Sequence, residues 1–544
     1  MYQICKILFI NPPDPSLLKN GPSVGYSYFE PPLGLLYVYD FIKKRGDLDG
    51  KFLDLNIEME FLSKMTIDDI LKIHIKDFRP DLIAIATLYY SGIPVFHTLA
   101  KIIKQIDEKI PVVFGGHYPH HLTDRCLSDD NVDYAVLSEG ELGLSDLIDA
   151  LNGKKEVRDV EGIAFKKDGI IVKNPRRTFW KGFSDIPRLP WEDTPFQYYF
   201  KEGRNLLYRL KPKVDFKIAA ITASRGCPNK CTFCTSPTFW NQRWRKRKVS
   251  HIVNEINYLK DNYGVNTIVF NDENIGVNKK WFIELLDELK KLNITWISSG
   301  GFAVRTINDE NVIQKMYESG ICFFNLGIES GSNDTLRRMK KPLTVEESQN
   351  TIQLIRKYGN AFICAFVIIG FPFEDLAMVK RTLKFAESLD TDWQNFHCFR
   401  PLPGSELFDY CGEKQLIEEF EPNYGELYFA PEFEHIDYTS DQLTRLSYLA
   451  NLKNNFVQNR NLLLKTEQSL AQAERDFLYV LEMVPRHVFA CLGLAEIMGL
   501  RNQIDSRKEY ILGAKRALEE DEFDWQYYLN ELNIDIEKLC REFE

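Results

Sequence analysis

Apolar positions in the first 152 residues form short runs that alternate with stretches of helical periodicity. The apolar runs lie at 4–11, 51–57, 81–87, 111–116 and 132–138. Each run has the length and composition of a buried strand, whereas intervening stretches such as 95–106 and 141–151 have the periodicity of helices. This alternation predicts an α/β fold whose first domain is a doubly wound, Rossmann-like parallel sheet. Ligands of such sheets bind beyond the carboxyl ends of the strands.

The same alternation returns between residue 217 and about residue 400. The strand candidates there are 217–224, 266–272, 295–301, 321–330, 361–370 and 393–401. Six strand–helix units favour a partial (βα)6 barrel. The chemistry of such barrels lies at the carboxyl ends of the strands, where charged and glycine residues cluster in this sequence.

These patterns predict four regions along the chain. They are a Rossmann-like domain at 1–155, a connector at 156–212, the partial barrel at 213–410 and a mostly helical domain at 411–544. The connector contains a hairpin candidate that turns at Asp168-Gly169. In the last region, Ala473, Phe477, Val480 and Pro485 have the spacing of a tetratricopeptide helix. One such unit is too short for a solenoid, so we expect a helical cap over the barrel.

Composition and charge are those of an ordinary multidomain globular protein. The chain has 544 residues and a net charge of -10, which argues against nucleic acid as the main partner. A basic run at 243–248 is expected to be a solvated stretch that leads into a helix. No apolar run approaches the ~20 residues that span a bilayer, and the first residues lack the features of a signal peptide. The sequence therefore predicts a cytosolic protein.

Three cysteines in one short segment carry the clearest chemical signal. Cys227, Cys231 and Cys234 follow a strand-like run and a turn at Arg225-Gly226. Thiolates are the usual ligands of iron–sulfur clusters, and three of them would leave one iron of a [4Fe-4S] cluster open to a small molecule. A zinc site and three structural thiols are the alternatives, but zinc usually needs four ligands in paired sets. The other eight cysteines are scattered and are expected to be buried apolar residues.

The spacing of the three cysteines resembles the CxxxCxΦC signature of the radical SAM superfamily, with Phe233 at the aromatic position. The resemblance implies a [4Fe-4S] cluster that binds S-adenosylmethionine (SAM) and cleaves it to a 5′-deoxyadenosyl radical. It also implies an external one-electron reductant such as flavodoxin or ferredoxin.

The same resemblance implies SAM contacts at the strand ends. They are Phe233, Asp272, Ser298, Arg305, Glu329, Ile368 and Gly370. Glu329 would accept hydrogen bonds from the SAM ribose or amino group, and Arg305 would meet the SAM carboxylate. The segment 271–274 stands where the family has a Gly-Gly-Glu motif but lacks the glycines, which leaves the contact at Asp272 open. For single charged residues, a salt bridge between loops is the alternative.

Four segments of the first domain resemble the cobalamin-binding domain that precedes many radical SAM cores. They are INPP in the first strand, PPLGLL at the first helix, GGHYPHH after the fourth strand and SEGE after the fifth. The implied cobalamin contacts are Pro12, Leu33, Gly34, Thr87, Leu88, Tyr89, Gly115, Gly116, His117, Glu139, Gly140 and Glu141. A generic flavodoxin-like domain, in which the glycines only form turns, is the alternative.

A histidine ligand to cobalt is not predicted. The Asp-x-His-x-x-Gly motif of cobalamin-dependent mutases is missing, and His117, His120 and His121 lie one strand too late for that role. The loop after the third strand, with Leu88, Tyr89 and Tyr90, is therefore expected at the lower face of cobalt.

Taken with the resemblance, these residues predict a cobalamin-dependent radical SAM enzyme that methylates an unactivated carbon or a phosphorus centre. Cobalamin-dependent ring formation or ring rearrangement without methyl transfer is one alternative. A radical SAM enzyme whose first domain does not bind cobalamin is another, and a non-catalytic iron–sulfur scaffold is a third. The substrate could be a small molecule, a lipid or a peptide.

Overall fold

The chain folds into two compact units, each assembled from segments that are distant in sequence. The computed structural model describes residues 3–15, 30–88, 90–199, 216–417, 436–520 and 523–542. The first unit comprises Met1–Arg204, Lys217–Glu273 and Pro401–Glu426, and the second comprises Asn205–Phe216, Asn274–Arg400 and Leu427–Glu544. The boundaries that the sequence predicts at 155, 212 and 410 stay predictions.

A parallel sheet with an antiparallel edge forms the centre of the first unit. Its strands are β1 (Lys6–Asn11), β2 (Asp49–Asp54), β3 (Leu82–Ala86), β4 (Val112–Gly115), β5 (Tyr134–Val136), β6 (Ile163–Lys167) and β7 (Ile170–Lys173). Within the described residues their order is β2-β1-β3-β4-β5-β6-β7. Strands β1 to β5 pair in parallel, which confirms the predicted sheet. The predicted hairpin forms β6 and β7, but it also extends the sheet, because β6 pairs antiparallel with β5.

Helices cover both faces of this sheet. They are α1 (Leu33–Lys43), α2 (Ile67–Phe78), α3 (Ile93–Ile106), α4 (His117–His121), α5 (Thr123–Ser128) and α6 (Gly140–Leu151). Because side chains alternate along a strand, Leu8 and Ile10 pack with α2 and α3, whereas Ile7 and Phe9 pack with α1 and α6. The two cores place the carboxyl ends of β1, β3, β4 and β5 at one edge of the sheet.

The central region continues the strand–helix repetition. Its strands are β8 (Ile218–Ile221), β9 (Ser224–Arg225), β10 (Arg245–Lys246), β11 (Thr267–Phe270), β12 (Thr295–Ser298), β13 (Phe323–Glu329), β14 (Phe362–Ile369) and β15 (Trp393–Cys398). Its helices are α7 (Ser236–Phe239), α8 (Val249–Tyr263), α9 (Lys279–Leu292), α10 (Val304–Ile307), α11 (Glu310–Glu318), α12 (Asn333–Arg338), α13 (Val345–Tyr358), α14 (Leu376–Glu387) and α15 (Glu406–Glu413). In the first unit β8 and β11 pair in parallel, and in the second unit β13, β14 and β15 form a parallel sheet. The predicted α/β repetition is confirmed.

The last region is helical, as predicted. It contains α16 (Ser440–Leu452), α17 (Arg460–Leu464), α18 (Glu467–Met483), α19 (Val488–Leu500), α20 (Ile504–Glu519), α21 (Trp525–Glu531) and α22 (Ile536–Arg541). Leu443 and Ala450 of α16 share one buried cluster with Val367 of β14 and Phe396 of β15. The tail is therefore part of the core of the second unit. In the described part of the chain, no helix is both long enough and apolar enough to cross a membrane.

Candidate active site

The three cysteines lie in a tight loop that begins where β9 ends. Gly226 has a φ of +88°, and a Cβ atom there would collide with the carbonyl oxygen of Arg243, so this position requires glycine. The loop turns through a hydrogen bond from the Cys234 N–H to the Cys231 carbonyl at 3.2 Å. Cys231 is buried, whereas Cys227 and Cys234 are half-buried. The loop therefore gathers three thiols in one short segment and leaves two of them partly accessible.

The donor set of this loop fits an iron–sulfur cluster, because each of three thiolates can bind a different iron and leave the fourth open. Zinc usually needs four ligands, and this segment supplies three. The Ser236 N–H also donates to Cys234 Sγ at 3.4 Å, a contact of the kind that tunes cluster thiolates.

Two carboxylates from the segment after β11 hold the backbone that leads into the cysteine loop. Asp272 accepts hydrogen bonds from the Ala223 N–H at 3.1 Å, from Ser224 Oγ at 2.5 Å and from the Ser224 N–H. Glu273 accepts from the Gly226 N–H at 2.8 Å. Burial raises the pKa of Asp272 to about 7 and also raises the pKa of Glu273. Asp272 thus binds the protein backbone in the structure, and its contact with SAM stays a prediction.

A buried charge cluster adjoins the first cysteine. The Arg225 guanidinium donates to Glu139 Oε1 and Glu141 Oε1, both at 2.7 Å. The rings of Tyr37 and Phe183 each lie 4.5 Å from the guanidinium carbon, measured to the ring centroid. Burial alone would lower the pKa of Arg225, but the carboxylates of Glu141 and Glu139 raise it above its ordinary value. The SEGE segment therefore directs its two carboxylates at an arginine.

The basic run at 243–248 leads into a helix, as predicted, and Arg243 and Lys248 are exposed, but Arg245 and Arg247 are not solvated. Arg247 is buried and pairs with the buried Glu255 at 2.6 Å, and Arg245 donates to Glu139 at 2.7 Å. Buried charges persist when they are paired and hydrogen-bonded. The partners of these two arginines are remote or fully buried carboxylates, which the local pattern of charges does not reveal.

The carboxyl ends of β3 and β4 form an edge made mostly of backbone. The Thr87 N–H and Oγ1 both donate to the Gly115 carbonyl, at 2.7 and 3.0 Å. A Cβ atom on Gly115 would meet nothing within 4 Å, whereas one on Gly116, whose φ is +122°, would lie 2.7 Å from the Thr87 carbonyl oxygen. Leu88 follows with 48% of its surface exposed. Within the described residues, the space where a Cβ atom of Gly115 would lie is open, so a ligand can approach the backbone there.

Three neutral histidines border this edge. The His117 ring stacks on Phe239 at 4.1 Å, and His120 and His121 lie 5.0 and 6.1 Å from the same ring. Burial lowers the pKa of His117 and His120 to about 4 and that of His121 to about 2. Within the described residues, Nδ1 of His120 and Nε2 of His121 have no hydrogen-bond partner. A cavity of about 520 Å³ borders His120 and His121.

The remaining predicted cobalamin contacts differ in burial and in the free space around them. Pro12 is buried after β1, and its carbonyl accepts from Asn56 Nδ2 at 3.0 Å. Leu33 is the buried first residue of α1, and Gly34 beside it is exposed with open space where a Cβ atom would lie. Gly140 is confined, because its Cβ atom would come within 2.7 Å of Val38. Tyr89 lies outside the described residues.

In the second unit, β13 ends at Glu329 in a strained conformation. Glu329 has a φ of +65°, and the β13–β14 ladder shifts register between Gly327 and Glu329. Its carboxylate lies 2.8 Å from Lys341 Nζ, and each side chain is 10% exposed. Left-handed conformations of residues other than glycine and β-bulges are both concentrated at functional sites. Glu329 thus forms an ion pair with Lys341 in the structure, and its contact with SAM stays a prediction.

The end of β14 is held by a carboxylate that the sequence did not single out. Glu374 Oε2 accepts from the N–H groups of Gly370 and Phe371 at 2.9 and 3.1 Å, and Oε1 accepts from Thr335 at 3.0 Å. Burial raises the pKa of Glu374 to about 7. Gly370 has a φ of +84°, and a Cβ atom there would collide with Leu443.

The other predicted SAM contacts of the second unit differ in how far their side chains are exposed to solvent. Ser298 is fully buried and donates to the Gly301 carbonyl at 3.2 Å, and Ile368 is half-buried on β14. The Arg305 side chain is 64% exposed and lies 3.7 Å from Glu347. For Arg305 the structure thus shows a surface ion pair, and its contact with the SAM carboxylate stays a prediction. Phe233, in the cysteine loop, is half-buried.

Comparisons with known proteins match both halves of this arrangement. The Radical SAM superfamily model matches residues 221–386, and the B12 binding domain model matches residues 25–148. An uncharacterized methyltransferase of Pyrococcus horikoshii is 32% identical over 421 residues, which cover 76% of this chain and 85% of that protein. The chain belongs to the cobalamin-binding radical SAM enzymes.

Other relatives of this radical SAM enzyme are named for different reactions, methyl transfer in one case and ring formation in another. The cytidylyl-2-hydroxyethylphosphonate methyltransferase of Streptomyces wedmorensis is 27% identical over 78% of this chain and 84% of its own length. The anaerobic magnesium-protoporphyrin IX monomethyl ester cyclase of Rubrivivax gelatinosus is 26% identical over 76% of this chain and 72% of its own. The solved structure of the cobalamin-dependent SAM radical enzyme OxsB, at 14% identity and a TM-score of 0.62, covers 98% of this chain and 82% of that one. This last likeness concerns the fold.

Membership of the family confirms the cofactors that the sequence predicted. The enzyme uses a [4Fe-4S] cluster, SAM and cobalamin. Like other radical SAM enzymes, it needs an external reductant. Sequence reasoning placed Glu273 among the charged residues at the strand ends without a role, and it missed Glu374 and Arg225 as site residues. The bonds of Glu273 and Glu374 to backbone N–H groups appear only once the turns have formed.

Proposed function

We propose that this enzyme transfers a methyl group to an unactivated carbon, or to a phosphorus centre, of a substrate that remains to be identified. The observation that carries the proposal is the 32% identity to a named methyltransferase over 85% of that protein. The relative that acts on cytidylyl-2-hydroxyethylphosphonate is also named a methyltransferase. When bound, the cluster with SAM supplies the radical that activates the substrate, and cobalamin supplies the methyl group.

Residues of the first unit would hold two of the cofactors. Cys227, Cys231 and Cys234 would bind three irons and leave the fourth to SAM. The backbone edge at Gly115 would receive one face of the corrin, because no described residue comes within 4 Å of the place where a Cβ atom of Gly115 would lie. The imidazole of His117, kept neutral by burial and stacked on Phe239, would add an uncharged aromatic surface.

Residues of the second unit would select for SAM. Glu329 would accept hydrogen bonds from the ribose or amino group of SAM, and Gly370 with Ile368 would present backbone to the adenine. The left-handed φ of Glu329 supports this role, because strain of that kind persists where the surroundings over-determine it. Flavodoxin or ferredoxin is proposed as the electron donor, and the cytosolic location also stays a prediction.

Ring formation without methyl transfer is the second candidate. It is favoured by the 26% identity to a cyclase over 76% of this chain. The two candidates differ in the fate of the SAM methyl group, which gives a direct test.

The test uses purified, anaerobically reconstituted enzyme with SAM that carries a deuterated methyl group, a reductant and a small-molecule extract of the source cells. Methylation predicts an extract component that gains the mass of the deuterated methyl group, together with both 5′-deoxyadenosine and S-adenosylhomocysteine. Deoxyadenosine without S-adenosylhomocysteine, and a product without deuterium, would favour ring formation. The Cys231→Ala enzyme serves as the control and should yield neither the deuterated product nor 5′-deoxyadenosine.

The environment of cobalt gives an independent measurement. We expect one cobalamin per chain, with its benzimidazole detached and no protein nitrogen on the metal. The electron paramagnetic resonance (EPR) spectrum of the Co(II) form should therefore lack nitrogen splitting. Splitting would refute this expectation and point to His117, His120 or His121. Parallel spectra of the His117→Ala, His120→Ala and His121→Ala enzymes would show whether one of them is the ligand or whether the nitrogen belongs to the benzimidazole.

A further inference from the structure

The SEGE segment contains two glutamates, Glu139 and Glu141, that the family resemblance assigns to cobalamin. In the structure both accept hydrogen bonds from Arg225. Glu139 Oε1 accepts from Arg225 and Arg245, each at 2.7 Å, and Oε2 accepts from Arg245 at 2.9 Å and from the Trp180 N–H at 3.1 Å. A carboxylate offers about four acceptor positions, so Glu139 has none left for a ligand.

Glu141 is buried beside the same arginine. Only 1% of its surface is exposed, its Oε1 accepts from Arg225 at 2.7 Å, and its Oε2 has no hydrogen-bond partner within the described residues. A Cβ atom on Gly140, between the two glutamates, would come within 2.7 Å of Val38, so a larger residue there would have to shift the segment. The segment presents both of its carboxylates to Arg225.

Arg225 is one residue before Gly226 and two before Cys227. The preceding residue, Ser224, is held by Asp272, and the following residue, Gly226, is held by Glu273. Three consecutive residues at the start of the cysteine loop are therefore each bonded to a carboxylate from another segment. Glu139 and Glu141 stand 86 and 84 residues away from Arg225 in the chain.

We infer that Glu139 and Glu141 are positioning residues for the iron–sulfur cluster, acting through Arg225, and are not contacts to cobalamin. The inference rests on the proposed cluster and cobalamin sites. A guanidinium held by two carboxylates and two aromatic rings has little freedom, so it fixes the backbone from which Cys227 projects. The first domain thereby sets the geometry of the cluster through a charge pair, separately from its binding of the corrin.

The test compares Glu139→Gln and Glu141→Gln with the wild-type chain. Glutamine keeps the shape but removes the charge, which leaves the buried Arg225 only partly neutralised. After anaerobic reconstitution, each variant should lose iron to a chelator at least tenfold faster than wild type. Its dissociation constant for cobalamin, from the absorbance change on binding, should stay within twofold. Glu156→Gln, an exposed glutamate of the same unit, is the matched control and should change neither quantity.

A spectroscopic measurement separates positioning from a general loss of stability. At equal iron loading, addition of SAM to the reduced cluster should change the EPR spectrum of wild type, and this change should be reduced in both variants. Arg225→Lys keeps the charge but loses the planar fork that spans two carboxylates, so it should lie between wild type and the glutamine variants. If a glutamine variant does not fold, the Arg225→Lys variant can be used for the same chelator and EPR measurements.

The opposite pattern would overturn the inference: weaker cobalamin binding with a chelator-resistant cluster and a normal response to SAM. A wild-type chain that takes up no cluster would overturn the proposed function together with this inference. A wild-type chain that binds both cofactors, with variants that lose only cobalamin, would overturn the inference alone.

Discussion

Each unit carries a parallel sheet, and the ends of β3 and β4 in the first unit differ in chemistry from the ends of β13 and β14 in the second. At the ends of β3 and β4 the structure has backbone, an exposed leucine and neutral imidazoles. At the ends of β13 and β14 it has two buried carboxylates, Glu329 and Glu374, one of them in a left-handed conformation. Both sheets bury their strands under helices, so the difference does not come from the architecture.

The difference matches the ligands that the family uses. A corrin has a broad apolar face with amides at its rim, and an open backbone edge with uncharged rings suits it. SAM carries a positively charged amino group and ribose hydroxyls, and a carboxylate suits these through charge-assisted hydrogen bonds. Parallel sheets thus place ligands at the same edge, while a few residues after each strand decide which ligand is bound.

Loss of a cluster cysteine should have the largest effect on activity. It should abolish SAM cleavage and leave cobalamin binding intact. We expect Cys227→Ala, Cys231→Ala or Cys234→Ala to abolish SAM cleavage, because three thiolates are needed for a cluster with one open iron. Cobalamin binding should persist, since the edge at Gly115 is formed by the backbone of β3 and β4 and contains none of the three cysteines. Iron content, deoxyadenosine formation and cobalamin absorbance measure the three quantities. Full SAM cleavage in any of these variants would disprove the cluster assignment.

Glu329→Ala should weaken the binding of SAM at the ends of β13 and β14. It should not affect the binding of cobalamin at the ends of β3 and β4. A charge-assisted hydrogen bond contributes about 1.5–3 kcal/mol, so the affinity for SAM should fall at least tenfold. Iron content and cobalamin affinity should be unchanged. Glu346→Ala, an exposed glutamate of the same unit, is the control. Unaltered SAM affinity in Glu329→Ala would restrict Glu329 to its ion pair with Lys341.

Two adjacent glycines allow the first edge to be tested in matched variants. Gly116→Ala should destabilise the protein by about 1–3 kcal/mol, because its positive φ and the nearby Thr87 carbonyl disfavour a side chain. Gly115→Ala should leave stability unchanged, since its Cβ atom would enter open space, but should weaken cobalamin binding. Thermal unfolding and cobalamin titration report the two effects. Normal cobalamin affinity in Gly115→Ala would show that the corrin does not approach this backbone.

The smallest expected effect concerns the dependence of stability on pH. Glu374 has a folded-state pKa of about 7, above that of the unfolded chain, so the folded state binds more protons. The stability it contributes is present at low pH and is lost as pH rises through 7, by about 1 kcal/mol between pH 6 and 8. Glu374→Gln should flatten this slope in denaturant unfolding. The buried histidines of the first unit, whose pKa values are lowered, should act in the opposite sense and cost stability below pH 6.5.

The sequence predicted most strands, because alternation of apolar and polar residues is a local property. It did not predict that β6 pairs with β5, since this pairing joins segments about thirty residues apart. The cysteines were predictable because their spacing is itself the signal. The partners of Arg225 were not, because Glu139 and Glu141 meet it only after two segments of the fold have come together.

Each unit is assembled from segments that are distant in sequence, and this has a consequence for folding during translation. The first unit includes residues 401–426, and the Leu407 N–H donates to the Thr232 carbonyl inside the cysteine loop at 2.9 Å. Nearly three quarters of the chain must therefore leave the ribosome before this loop acquires all its contacts. Domains usually fold in order from the amino terminus, but here the amino-terminal unit waits for a later segment. Delivery of iron and sulfide is accordingly expected after translation has passed residue 407, and not to the nascent loop.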